Sequence, residues 1–107
     1  MDTKTMERSR PIVQAGPEPL MSLREQIDRV DSYLVTALAT RLRLAEEVGT
    51  LKRNMGMLPL DPRREAEIVR RAGDGARAEG IPEEGVRQIF WAVIDYCREG
   101  VLRRPLA

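Results

Sequence analysis

At 107 residues the chain is one domain's worth or less, and its charges sum to +1, so no global field directs it to nucleic acid or an acidic surface. Aromatics make up only 4%, against a base-stacking platform; with no histidine and one cysteine, neither a zinc site nor a disulfide is expected within one chain. No apolar run has the length of a signal-peptide core or a bilayer span, so the expectation is a cytoplasmic protein without membrane association, with Cys97 reduced.

Residues 1–18 mix charged and polar residues with Pro11, Gly16 and Pro17, and read as a disordered N-terminal tail. A helix is expected to open between Pro19 and Ser22, where Ser22 and Glu25 have the spacing of a capping box. From Leu23, alternating steps of four and three reach Ile27, Val30, Leu34, Ala37, Arg41, Leu44, Val48 and Leu51. That is the face of a helix packed against other helices, and only Arg41 in it is charged. A guanidinium cannot shed its proton, so at a buried position it is paired with an acid or faces an anion. Arg24 and Lys52 belong to the adjacent stripe, Arg24, Asp31, Leu38, Ala45 and Lys52, on the flank of the same face. Nothing interrupts the pattern before Asn54 and Gly56, which implies a helix of about 32–36 residues, or about 50 Å. A compact domain of this size has a radius of gyration of about 13 Å and cannot cover such a rod. The expected assembly is therefore an intertwined homodimer.

After the apolar connection Met55 to Leu60, Asp61 has the character of an N-cap, with Pro62 at the first helical position. Arg63, Arg64 and Glu65 follow in the first turn. Cations there oppose the helix dipole unless an anion binds at that end. The second helix is expected to bend or break at Gly73-Asp74-Gly75 and to end by Gly80. Ile81-Pro82-Glu83-Glu84 opens a third, whose seam runs through Val86, Phe90, Val93, Cys97 and Val101. That seam directs Arg98 and Glu99 away from the interior. The fold class is all-α: a three-helix protomer with one very long N-terminal helix, spanning residues 19–104.

The run Leu23-Arg24-Glu25-Gln26-Ile27-Asp28-Arg29-Val30-Asp31, then Leu38-Ala39-Thr40-Arg41, Ala45-Glu46-Glu47-Val48-Gly49, Lys52 and Asp61 to Glu65 resembles the all-helical chorismate mutases. The match is ungapped from about Leu20 to Arg71 and continues more weakly through the third helix. The resemblance implies a homodimer with antiparallel first helices and an intramolecular Claisen rearrangement of chorismate, or a close analogue, to the corresponding prephenate. It implies no cofactor and no metal. It further implies that Arg41 and Arg24 bind substrate carboxylates, with Arg24 supplied by the partner subunit. Lys52 would bond the ether oxygen and a carboxylate, Arg64 and Glu65 would line the site with Glu65 near ring carbon four, and Asp61 would act mainly through its backbone. Cys97 and Val101 stand where the best-known members have a serine and a glutamine. Cysteine is a weak donor and valine none, and one lost donor to the ether oxygen can cost about 3–4 kcal/mol of transition-state stabilisation. That departure leaves open an inefficient enzyme activated by a partner enzyme, a 4-amino-4-deoxychorismate mutase serving antibiotic biosynthesis, and an isochorismate pyruvate lyase. A non-catalytic helical dimerisation module would explain the seam but not the cations.

Overall fold

The computed structural model describes residues 17–103 of the chain, and side chains for residues 17–99. It contains three helices, α1 (Pro17–Asn54), α2 (Pro62–Glu79) and α3 (Glu83–Arg103), with no strand among the described residues. The expected tail, apart from its last two residues, lies outside the described residues.

Helix α1 is already under way at Ser22, so Ser22 is not its cap. Its hydroxyl instead accepts a 3.4 Å hydrogen bond from Gln26 Nε2 one turn on. The start at Pro17 suits a ring whose missing N–H is not needed in a first turn, and Glu18 adds an acid where the dipole favours one. Two compact units share the chain, residues 1–37 and 38–107. In the first, every described residue is exposed, including the apolar seam positions Leu23, Ile27, Val30 and Leu34.

The second unit holds the core. Helices α2 and α3 pack against each other, with Val69, Gly73 and Ala76 of α2 and Ile94 and Cys97 of α3 buried; Gly49 of α1 is buried as well. Helix α2 runs unbroken through Gly73-Asp74-Gly75, contrary to the bend expected there. Burial of Val69, Gly73 and Ala76 along one face supplies packing that outweighs two weak helix formers. Helices α1 and α2 end alike. Gly56 and Gly80 take left-handed φ values of 70° and 73°, and the N–H groups of Met57 and Ile81 reach back to the carbonyls of Lys52 and Ala76. This Schellman arrangement satisfies carbonyls that would otherwise be orphaned, and glycine adopts it without a Cβ penalty.

Candidate active site

Residues 38–54 of α1 face the α2–α3 pair across a cavity of about 340 Å³, within the range of about 300–1,000 Å³ typical of small-molecule sites. Its apolar wall comes from Leu44, Ala45 and Val48 of α1, Pro59 and Leu60 of the connection, Ile68 of α2 and Ile94 of α3. Four cations and two acids complete the lining: Arg41, Lys52, Arg64 and Arg98, with Asp61 and Glu65. All three helices contribute, and the lining carries two more positive than negative charges.

Arg41 is half-buried. Its guanidinium donates from Nη1 to Cys97 Sγ at 3.1 Å, and among the described residues no acid pairs with it. Sulfur is a weak acceptor, so most of this cation's hydrogen-bonding capacity is free for an incoming anion. Lys52 has a side chain only 19% exposed, and its Nζ lies 3.9 Å from Asp61 Oδ2. Asp61 fills the cap position expected of it: Oδ1 accepts the Arg64 N–H at 3.2 Å, and Pro62 opens the helix behind it. Asp61 thus joins the end of α1 to the start of α2.

Arg64 lines the cavity but donates its Nη1 to Glu67 at 2.8 Å, on the exposed side of α2. That hydrogen bond, more than the neighbouring charge of Arg71, holds the Glu67 carboxyl below its ordinary range. Glu65 points inward and accepts from Arg98, at 2.5 Å between Nη2 and Oε1 and 3.3 Å between Nε and Oε2. The inward placement of Arg98 corrects the seam-based expectation, although Cys97 is buried as expected. An arginine on the flank of a seam has a stem long enough to lie along the wall and bring its head into the cavity. A signal was present in the sequence: Glu65 needs a partner if it faces inward, and Arg98 is one residue from Cys97.

A family model of chorismate mutase type II matches residues 23–100. The chain belongs to that family. Similarity extends to a "3-dehydroquinate dehydratase" of Pyrobaculum aerophilum, 37% identical over 74% of this chain and 23% of that protein. It extends also to a "4-amino-4-deoxychorismate mutase" of Streptomyces pristinaespiralis, 31% identical over 78% of this chain and 66% of that one. Among solved structures, a chorismate mutase from Thermus thermophilus superposes with a TM-score of 0.73 at 29% identity, covering 81% of this chain and 98% of that one. The chain spans less than a quarter of the Pyrobaculum relative's length.

Of the residues expected from resemblance to the chorismate mutases, the second unit brings Arg41, Lys52, Asp61, Arg64, Glu65 and Cys97 to one cavity. Arg24 is exposed on α1 in the first unit and is not among the lining residues. Val101 lies in α3, but its side chain is outside the described ones.

Proposed function

We propose that the cavity binds chorismate and rearranges it to prephenate. The observation carrying this reading is the Arg41 guanidinium, half-buried among apolar walls with a sulfur for its only hydrogen-bond partner among the described residues. Membership of the family agrees with it. In the reaction the ether carbon–oxygen bond breaks while a carbon–carbon bond forms between the enolpyruvyl methylene and the ring. Electrons move in one cycle and no proton is transferred, so neither a base nor a cofactor is required. The site must fold the substrate so that the two carbons meet and must stabilise charge gathering on the ether oxygen. Arg41 holds one carboxylate with its planar fork. Lys52 donates to the ether oxygen, and Arg64 completes the positive wall.

The protein acts as a homodimer. Support comes from the apolar face of α1, where Leu23, Ile27, Val30, Leu34, Leu44, Val48 and Leu51 are each more than half exposed. Apolar side chains in that number are a surface that water disfavours and a second copy covers. The dimer brings Arg24 of one chain to the cavity of its partner, where it binds the second carboxylate. No helix among the described residues is long and apolar enough to cross a membrane, and a free Cys97 accords with a cytoplasmic setting.

The test is a substrate panel on purified protein, with chorismate, 4-amino-4-deoxychorismate and isochorismate followed separately. Chorismate should be consumed with stoichiometric appearance of prephenate. Release of pyruvate from isochorismate, with no prephenate from chorismate, would replace the mutase reading with a lyase.

A further inference from the structure

Both acids that line the cavity are already engaged. Asp61 caps α2 through one oxygen and faces Lys52 through the other. Glu65 gives both oxygens to Arg98 in a side-on fork, with Glu65 17% and Arg98 32% exposed. Arg98 is steadied from its own helix by Asp95, one turn earlier, at 3.5 Å. A bidentate guanidinium–carboxylate pair in a partly desolvated site is among the stronger charge-assisted contacts.

We propose that Arg98 is a specificity-determining residue: by clamping Glu65 it withholds the cavity's inward acid, so that the site selects a dicarboxylate bearing a neutral hydroxyl over one bearing an ammonium. The inference rests on the mutase reading above and narrows its substrate. A dianion meets a lining with two surplus positive charges. The 4-amino analogue is only a monoanion overall, and where the proposed pose brings its ammonium to Glu65 that group must either sit beside Arg98 or pull Glu65 away from it. Juxtaposing like charges in a site of low polarity is costly. A hydroxyl suffers neither penalty, because it can donate to a remaining lone pair of Glu65 or accept from a free N–H of Arg98. Arg98 therefore acts through Glu65, as a positioning residue.

The experiment measures kcat/KM for chorismate and for 4-amino-4-deoxychorismate on the wild-type protein, Arg98→Met and Arg98→Lys. The wild type should favour chorismate by at least about tenfold. Arg98→Met frees Glu65 and should shift the ratio toward the 4-amino substrate by about tenfold or more, whereas Arg98→Lys keeps a cation beside Glu65 and most of the preference. Loss of packing alone would lower both values together and leave their ratio unmoved, and that result would overturn the proposal. So would a wild-type protein that favours the 4-amino substrate or treats the two equally. If Arg98→Met does not fold, the wild-type ratio and its retention in Arg98→Lys decide the matter. A wild type that rearranges neither substrate would remove the mutase reading itself, a result distinct from an active enzyme without preference.

Discussion

Arg41 is half-buried beside a sulfur acceptor, so its guanidinium is poorly solvated until an anion arrives. Alanine there removes a cation without stranding a partner acid, and the fold should tolerate the change. Turnover of chorismate by Arg41→Ala should fall by about 10²–10³-fold with the helical signal and melting temperature nearly unchanged. Lysine should not rescue it, since a point charge lacks the fork that grips both oxygens of a carboxylate. Steady-state kinetics beside a thermal melt checks both statements. This residue was legible in the sequence because it breaks an otherwise apolar seam. Lys52 was legible as a cation on the flank of that seam, and Asp61 as a cap before a proline. Arg98 was not. A periodicity argument locates Cα positions, whereas the reach of an arginine head depends on a flexible stem and on Glu65, which belongs to another helix.

At the scale of elements, α2 and its junction to α3 yield two expectations. Gly75 lies exposed inside α2 with nothing within 4 Å of a Cβ built on it. Gly75→Ala should stabilise the protein by about 0.5–1 kcal/mol through helix propensity and a less flexible unfolded chain, read as a higher urea midpoint at unchanged slope. The junction itself is bridged by Arg77, whose Nε and Nη2 donate to Glu83 at 2.7 and 3.1 Å. The hydrogen bond from Arg77 is the chief reason the Glu83 carboxyl sits below its ordinary range, with Arg87 adding to it. A carboxyl depressed in the folded state stabilises the fold above its unfolded pKa, and that contribution is lost as pH falls through the lowered folded value. In Arg77→Ala the Glu83 titration, followed by NMR, should move up toward an ordinary glutamate. The stability gap between wild type and variant should close in acid rather than in alkali. Arg77 is largely exposed and Glu83 still reaches solvent, so the gap will be small. Helix order and the caps of α2 were legible because proline, aspartate and glycine fix backbone geometry locally. Continuity through Gly73 was not, since burial of that face decides it and burial is a tertiary fact.

For the whole molecule, the length of the first helix already implied a second chain, and the exposure of its apolar face in the folded protomer supports the same reading. Sedimentation at micromolar concentration should give a dimer, and a stable monomer would leave that face in water without explanation. The cavity assembles Arg41, Lys52, Arg64 and Arg98 from one chain, and in the proposed dimer the Arg24 of a partner binds the second carboxylate. The most direct test of this shared site uses two crippled proteins. Arg24→Ala and Arg41→Ala homodimers should each be nearly inactive on chorismate. When the two are unfolded together and refolded as an equal mixture, half of the dimers are mixed, and each mixed dimer has one site with both arginines intact. Recovery of about a quarter of wild-type activity is the predicted result. A refolded mixture that dimerises yet stays as inactive as its parents would contradict it, because Arg24 would then act within its own chain or not at all.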